Sequence, residues 1–294
     1  MAGEKTHGGH SMAARLRRVM ICAPESAGWT DPNRAAAWRS LGYFHPPTAE
    51  AVRQHGRLRQ LLDGSGAEVL SLPPGAPLTL DAVYAHDASI LTDFGAICLR
   101  MGKAAREAEP ALHGAFYASQ GIPVMGRLEA PATAEGGDMV WLDPDTLLVG
   151  HGYRTNGPGI AQIASLLKPH GVSVIEAPLP HGRGPGDCLH LMSLMSVIGE
   201  RSILVDLGWL SVPTVNLLRE MEFKMVEIDP SERATLACNV LALGEGRLVA
   251  IEENAATNRR LREAGFEVST FPGSEICHNG SGGPTCLTRP ILRG

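Results

Sequence analysis

The stretch NGSGGPTCLTRPI forms residues 279–291, near the C-terminal end of the 294-residue sequence. Its glycines and its first proline indicate a tight loop, because glycine allows backbone angles and close approaches that other residues do not. The apolar run after Cys286 predicts a strand. A thiol at such a loop-to-strand junction leaves room for a reacting group, which a cysteine nucleophile needs. A buried structural cysteine is the alternative interpretation of this stretch alone.

Polar residues at or near the head of an apolar run recur with a regular period. These heads are Asp87, Asp138, His190, Asn239 and Cys286, and they are separated by 51, 52, 49 and 47 residues. Such self-similarity indicates repeated supersecondary units. A similar period can also arise by chance in an α/β chain whose connections have regular lengths. The polar character of every head favours the repeat.

Each unit is predicted to contain two strands, an amphipathic helix and a third strand. The third unit is predicted to have strands at 139–142, 147–149 and 172–175 and a helix around 160–167. The fourth unit is predicted to have strands at 191–197, 203–207 and 224–228 and a helix at 214–220. The fifth unit is predicted to have strands at 240–243, 248–251 and 266–271 and a helix at 255–263. The second unit, which starts at Asp87, is less regular.

The first unit is divided between the two ends of the sequence. The strand after Cys286 has no successor, and the strand predicted at 16–22 has no predecessor. If these two strands pair, five ββαβ units close into a five-bladed α/β propeller with pseudo-fivefold symmetry, which leaves no free sheet edge. Closure would also bring all the heads to one end of a central axis. We expect residues 1–14 to be a flexible leader and residues 15–294 to form a single catalytic domain.

Composition and charge exclude several classes of protein. Hydrophobic residues make up 44% of the sequence and charged residues 19%, which is enough apolar material for a sizeable core. The net charge of −5 and the lack of a long Lys/Arg run argue against binding to nucleic acid or to an anionic membrane surface. No apolar stretch approaches the roughly 18 residues of a membrane span. The six scattered cysteines form no CxxC motif, which indicates reduced thiols and a cytoplasmic location. We expect no metal.

Three residues of the repeat have the chemistry of a catalytic triad. Cys286 supplies a thiol, His190 an acid and base, and Glu135 in the EGGD run at 135–138 a carboxylate that could orient the imidazole. Each has a structural alternative when taken alone: a histidine packed at the mouth of a strand, or a surface turn for the glycine pair. Only the repeat brings them to one site.

The motifs, taken in order, resemble those of a known superfamily. Asp87 in AHDAS, EGGD at 135–138, HLMS at 190–193 and GGPTCLT at 282–288 resemble the guanidine-modifying superfamily with the five-bladed propeller, or pentein, fold. Within it, the sequence is most similar to the branch of dimethylarginine dimethylaminohydrolase and arginine deiminase, over nearly all of residues 16–293. The resemblance implies that Cys286 attacks a guanidinium carbon, that His190 protonates the departing amine and then activates water, and that Glu135 holds His190.

The resemblance also implies a set of substrate-binding residues. Asp87 would bind guanidinium nitrogens, and Arg106 and Arg154 would hold the α-carboxylate of the substrate. Surface solvation is the alternative for both arginines. Asp138 would contact the substrate or would only brace the turn at Gly136 and Gly137. No cofactor is implied; the partner is a small guanidino compound, and a homodimer is left open.

One departure from the family pattern bears on the substrate. Arginine deiminases typically carry HLD, whose aspartate is a second clamp on the guanidinium, but here the position is Met192. An apolar residue there suits an N-alkylated guanidine, so we expect hydrolysis of N-methylated arginine to citrulline and an alkylamine. The alternatives are an arginine deiminase or dihydrolase, an amidinotransferase, and a non-catalytic protein that binds guanidino ligands.

A long aperiodic segment, residues 24–47, has two interpretations. It carries Trp29, Trp38, Tyr43, Phe44 and His45. A long loop in a compact domain is often a lid over a binding site. The alternative is a loop that covers a sheet edge with its aromatic side chains packed inward.

Overall fold

The computed structural model describes residues 5–75 and 78–294. Its strands are β1 (Leu16–Ile21), β2 (Glu68–Ser71), β3 (Ser89–Thr92), β4 (Gly95–Cys98), β5 (Val124–Arg127), β6 (Met139–Asp143), β7 (Thr146–His151), β8 (Ser173–Pro178), β9 (Met195–Gly199), β10 (Ser202–Val205), β11 (Lys224–Glu227), β12 (Leu241–Gly244), β13 (Arg247–Ile251), β14 (Glu267–Phe271) and β15 (Thr288–Arg293). Its α-helices are α1 (Pro32–Ala35), α2 (Ala49–Gly64), α3 (Glu109–Ser119), α4 (Gly157–Leu167), α5 (Val212–Glu220) and α6 (Ala255–Glu263).

The strands form five three-stranded sheets of one design. Their orders are β15-β1-β2, β3-β4-β5, β6-β7-β8, β9-β10-β11 and β12-β13-β14. In every sheet the first two strands are antiparallel, and the third is parallel to the second. A helix lies between the two parallel strands, as a parallel connection requires. This arrangement confirms the predicted five-fold repetition of the unit.

The two ends of the chain share one sheet, as predicted. β1 pairs with β15 in antiparallel register, with Ile21 opposite Thr288 and Leu16 opposite Arg293. The first strands of neighbouring sheets also pack together, β6 against β9, β9 against β12, and β15 against β3, and β12 contacts β1, the middle strand of its sheet.

The inner strands of the sheets are the most buried, whereas the outer strands β2, β5 and β11 are partly exposed. All residues of β3, β4 and β12 are buried. Helix α4 shows how the outer layer attaches: Ile160, Ile163 and Leu167 face inward, and the side chain of Asn156 caps its first turn by accepting a hydrogen bond from the Gly159 amide at 2.8 Å. Each such buried aliphatic side chain stabilises the fold by about 1.5–3 kcal/mol.

The fourth unit differs from its prediction at the head. His190 precedes a short 3-10 turn, Leu191–Ser193, and β9 starts only at Met195. The turn is capped by reciprocal contacts, among them a bond from the His190 amide to the Ser193 hydroxyl at 3.2 Å. A single apolar run thus contains a turn and a strand, which periodicity alone does not separate.

In the segment predicted to be a flexible leader, Gly8 and His10 contact the rest of the protein, Lys5 and Thr6 are exposed, and residues 1–4 lie outside the described residues. Gly8 forms a parallel bridge with Leu292 of β15. His10 stacks on Trp141, with ring centroids 4.0 Å apart, and its Nδ1 bonds the carbonyl of Pro144 at 2.7 Å. These contacts link Gly8 to β15 and His10 to β6 and the turn after it, and the flexibility of the leader stays a prediction.

Residues 24–47 combine the two expected roles. Trp29 and Tyr43 are buried, and the Trp29 indole donates to the carbonyl of Leu80 at 2.9 Å. Phe44, by contrast, is 70% exposed and lines the cavity described below. Among the described residues, no helix is both long enough and apolar enough to cross a bilayer.

Candidate active site

The polar heads of the repeat lie where each sheet begins, and so they converge. Asp87, His190, Asn239 and Cys286 precede the first strands of four different sheets, and all four line one cavity of about 740 Å³. Residues of the 24–47 segment and of the loop that precedes β15 line this cavity as well. Residues up to 199 positions apart in the sequence, such as Asp87 and Cys286, thus share a site.

The glycine-rich loop packs tightly enough to exclude side chains. A Cβ atom on Gly282 would lie 2.4 Å from the ring of Tyr84, and one on Gly283 would lie 2.6 Å from the amide oxygen of Asn239. The glycines therefore bring the backbone against Tyr84 and Asn239. This close approach sets Cys286 beside Asn239, whose Nδ2 lies 3.0 Å from the thiol sulfur.

The Cys286 thiol is protonated in the free protein. Burial raises its pKa to about 12, the nearby Asp87 carboxylate acts in the same direction, and His190 opposes them. A thiol with such a pKa is a weak nucleophile until a cation enters the cavity, because only the thiolate attacks.

Glu135 is a fully buried carboxylate that receives four hydrogen bonds. One oxygen accepts from the backbone amides of Gly102 and Lys103, both at 3.0 Å. The other bonds Nε2 of His190 at 2.8 Å and accepts from Arg154 at 2.8 Å. Burial alone would raise its pKa, but the hydrogen bond and charge of His190, with the charge of Arg154, lower it to about 2. Glu135 is therefore ionised.

His190 is held by one ring nitrogen and presents the other. Because Nε2 is bonded to Glu135, Nδ1 is the ring nitrogen that can exchange a proton with a ligand. The sulfur of Cys188 lies 3.8 Å from Nδ1. Burial would lower the pKa of His190, yet Cys188 and the carboxylates of Asp138 and Asp87 outweigh burial and raise it well above its ordinary value. The imidazolium is thus available as an acid.

Asp87 is a buried anion at the cavity wall. Its Oδ2 accepts from Arg106 at 2.6 Å, and its Oδ1 accepts from the amide of Gly137 at 3.1 Å. Burial opposes ionisation, but Arg106 and then His190 hold the pKa of this carboxyl well below its usual range. A cation entering the cavity would meet a fixed negative charge.

Arg106 lies at the cavity wall and is bonded to several protein groups. Its guanidinium bonds Asp87, both oxygens of Glu109 and the carbonyl of Tyr84, and the side chain is only 4% exposed. The contact with a substrate carboxylate stays a prediction, and the observed partners of Arg106 are carboxylates of the protein, with which buried charges pair. Glu109, three residues after Arg106, is the partner that the sequence analysis missed.

Arg154 keeps one face toward the cavity. It bonds Glu135 through Nη1, and it is among the cavity-lining residues. Its position therefore remains compatible with binding an anionic group of a ligand.

Asp138 does not line the cavity and is fully buried. It accepts from the Thr155 hydroxyl at 2.6 Å and from the Leu191 amide at 2.9 Å. These bonds join the Gly136–Asp138 turn to the turn that follows His190. Of the two predicted roles, its placement matches bracing and not substrate contact. Burial raises the pKa of Asp138 to about 6.

Two further cavity residues were not assigned a role from the sequence. Asn239 was identified as a head of the repeat but given no function, although it contacts the sulfur of Cys286. Cys188 lies two residues before His190 and had no signal beyond that proximity.

The described residues contain one group with the chemistry to hold a metal ion. Ligand atoms of Asp87, Glu135 and His190 lie within 4.8 Å of one another. Both oxygens of each carboxylate already accept hydrogen bonds from the protein. The arrangement is therefore satisfied by protein groups alone, and a metal-free site stays our expectation.

Comparison with known proteins gives matches to one protein family and to several of its relatives. The family model described as arginine deiminase matches residues 77–214 and 209–293. An arginine deiminase of Listeria innocua is 27% identical over 218 residues, which cover 62% of this chain and 52% of that protein. An N(G),N(G)-dimethylarginine dimethylaminohydrolase of Pseudomonas aeruginosa is 26% identical over 247 residues, covering 83% and 89%.

Similarity in structure extends over the whole fold. An amidinotransferase from Microseira wollei superposes with a TM-score of 0.79 at 16% identity, covering 98% of this chain and 97% of that one. At this identity the likeness shows a common fold and nothing finer. The chain spans about half the length of the Listeria arginine deiminase that it matches.

Proposed function

The chain belongs to the arginine deiminase family, and from this premise we propose that it is a cysteine-dependent hydrolase of guanidino compounds. The observation that carries the proposal is a single arrangement: His190 held by the ionised Glu135, with Cys286 and Asp87 in the same cavity. A base, its orienting carboxylate and a thiol are the parts of a nucleophilic triad. The buried anion of Asp87 adds a site for a cation.

In the proposed first half-reaction, Asp87 binds the substrate guanidinium beside Cys286. The bound cation stabilises the thiolate, and the thiol proton passes to solvent. The thiolate attacks the guanidinium carbon and gives a tetrahedral adduct. His190 then donates its Nδ1 proton to the leaving nitrogen, the C–N bond breaks, and an amine departs. An S-alkylthiouronium remains on Cys286.

The second half-reaction reverses the roles of His190. Its neutral imidazole, still donating Nε2–H to Glu135, takes a proton from water at Nδ1. The hydroxide attacks the thiouronium carbon, the C–S bond breaks, and the hydroxyl proton of the adduct passes to the departing sulfur, so that a neutral ureido product leaves and the Cys286 thiol is regenerated. Ordered water near Nδ1 is thus required only after the amine has gone.

The substrate class follows from the polarity of the cavity. Met192 is buried at its wall, at the position where a second carboxylate clamp was expected for plain arginine. We propose N-methylated arginine as the substrate, giving citrulline and an alkylamine. Arginine deiminase, arginine dihydrolase and amidinotransferase activity are the alternatives within the fold, and a non-catalytic guanidino-binding protein is the alternative outside catalysis.

Three charged residues support these groups in different ways. Arg154 is proposed to bind the substrate α-carboxylate, since both arginines line the cavity but Arg154 has one side-chain partner, Glu135, whereas Arg106 bonds three protein residues. Arg106 is proposed to position Asp87, and Asp138 to brace the His190 turn.

Closure of the fold and cellular context belong to the same proposal. We propose that the five sheets form a closed five-bladed propeller, supported by the β1–β15 pairing and by the contacts between first strands. The free cysteines fit a cytoplasmic protein. A homodimer stays a prediction.

The test measures products and the covalent intermediate. The protein is incubated with Nω,Nω-dimethyl-L-arginine and, separately, with L-arginine, and citrulline, dimethylamine, ammonia and ornithine are quantified. We expect citrulline and dimethylamine in equal amounts from the first compound, and mass spectrometry of quenched protein should find an adduct on the peptide containing Cys286. Cys286→Ser should abolish both signals while retaining the fold. Full turnover by this variant would overturn the mechanism.

A further inference from the structure

A second cavity adjoins the catalytic one and has a different character. This side chamber, of about 520 Å³, is walled by Leu189, Leu194, Trp209, Ala234 and Leu236. We propose that it binds an apolar substituent on the leaving nitrogen, so that the substrates include guanidino acids whose departing amine carries a group larger than methyl. The inference rests on the proposed function and deepens it.

The first step of the argument is the position of the leaving nitrogen. His190 can deliver a proton only from Nδ1, because Nε2 is bonded to Glu135. The leaving nitrogen must therefore lie within hydrogen-bond reach of Nδ1. The side chain found beside Nδ1 is Cys188, with its sulfur 3.8 Å away. The departing group consequently leaves toward Cys188.

The second step is that Cys188 belongs to the wall shared by the two cavities. Asn239, which contacts the sulfur of Cys286, lines both cavities as well. Asp87 and Arg154, the proposed binding groups for the retained part of the substrate, line only the catalytic cavity. A substrate held at those two residues would direct its leaving substituent across the shared wall.

The third step is the chemistry of the side chamber. Its aromatic and aliphatic walls suit an uncharged group. Arg233 at its wall is paired with Asp206 by a hydrogen bond at 2.8 Å and lies over the ring of Trp209 at 5.3 Å. Arg183, at the shared wall, bonds Asp187 at 3.3 Å. Because each of these two arginines already has a carboxylate partner in the protein, neither is expected to attract an anionic ligand.

Backbone geometry at the shared wall is consistent with a functional role. Leu236 and Ser281 both line the two cavities, and both have left-handed backbone angles, with φ of 65° and 64°. A leucine with positive φ is rare, and such strain is retained mainly where surrounding contacts require it. The turn places Leu236 next to Asn239, and the backbone N–H of Asn239 donates to the carbonyl of Leu236 at 2.9 Å.

The experiment fills the chamber without touching the triad. Ala234 is an exposed residue of the Pro230–Thr235 turn at the chamber wall, and Ala111 is exposed on α3 away from both cavities. We compare kcat/KM for Nω-propyl-L-arginine with that for Nω-methyl-L-arginine, following citrulline. In the unaltered protein the propyl compound should be hydrolysed at least as efficiently as the methyl compound. Ala234→Trp should lower the propyl-to-methyl ratio about tenfold or more, since pocket methylenes discriminate on that scale.

Controls separate the failure of this inference from that of the proposed function. Ala234→Leu should give a smaller loss than Ala234→Trp, and Ala111→Trp should leave the ratio unchanged, with folding of each variant checked by circular dichroism. Hydrolysis of the methyl compound without hydrolysis of the propyl compound would overturn the inference alone, as would an unchanged ratio in Ala234→Trp. No hydrolysis of any guanidine would overturn the proposed function itself.

Discussion

Glu135→Gln removes one charge from the site while preserving its shape. Glutamine has a single acceptor oxygen, and if that oxygen keeps the amides of Gly102 and Lys103, its NH2 group faces His190 and Arg154. His190 must then accept through Nε2, which places its proton on Nδ1. A neutral imidazole in that tautomer cannot take a proton from water.

The expected loss of activity follows from this tautomer. Removing the orienting carboxylate of a triad while keeping its geometry lowers kcat by about 10⁴-fold in the best-studied case, which corresponds to about 5 kcal/mol of transition-state stabilisation. We expect a loss of similar size in citrulline formation by Glu135→Gln. Substrate binding should change much less, because Asp87 is untouched.

A second magnitude comes from the pKa of Glu135, which falls from 4.5 to about 2 on folding. A shift of this size stabilises the folded protein by about 3 kcal/mol at neutral pH. Because the folded-state pKa is the lower one, this stabilisation is present above pH 4.5 and is lost as pH falls toward 2. In Glu135→Gln, the free energy of unfolding should therefore fall less as the pH is lowered than it does in the unaltered protein.

The assay combines initial rates at neutral pH with urea unfolding at several pH values from 6 down to 3. Glu263→Gln is the matched control, since Glu263 is exposed on α6 and should leave both rate and pH dependence unchanged. A kcat for Glu135→Gln within tenfold of the unaltered protein would refute the tautomer argument. If the unaltered protein and Glu135→Gln lose the same free energy of unfolding below pH 4.5, the argument from the pKa of Glu135 is refuted.

Three further predictions test other parts of the site and fold. Without ligand, alkylation of Cys286 by iodoacetamide should accelerate about tenfold per pH unit from 7 to 10, because its pKa is about 12 and only the thiolate reacts; a flat profile by peptide mass spectrometry contradicts this. Arg154→Ala should raise KM about 10- to 100-fold for a substrate with an α-carboxylate but not for its decarboxylated analogue, and equal effects on both would remove Arg154 from carboxylate binding. His10→Ala should lower the free energy of unfolding by about 1–3 kcal/mol in urea titrations, because the variant loses the stack on Trp141, and kcat should be unchanged. An unchanged urea midpoint would show that the contacts of His10 contribute nothing to stability.

Local patterns predicted the elements well where they were strongly periodic. The helix expected at 255–263 is α6 with the same bounds, and the strand expected at 16–22 is β1. These succeeded because apolar spacing reports directly which side of an element is buried. The run at 191–197 was divided differently, since a capped turn and a strand can share one apolar pattern.

The roles of charged residues were harder to predict than their presence near the site. Arg106 and Arg154 were predicted to have the same role and both line the cavity, yet Arg106 is bonded to Asp87 and Glu109 while Arg154 is bonded to Glu135. The partner of a buried charge depends on how helices and turns are oriented after folding. Spacing along the chain carries no such information.

The sequence by itself determined the repeated unit, the pairing of its first and last strands, and the identity of the thiol, imidazole and carboxylate of the site. Those features are local patterns, or repetitions of local patterns, and each copy carries its own signal. Only the tertiary structure decided that Asp138 bonds Leu191 and does not line the cavity, that Gly8 pairs with Leu292 of β15, and that a side chamber adjoins the catalytic cavity. These depend on contacts between residues far apart in the chain, whose energies are set by mutual burial and not by neighbouring sequence.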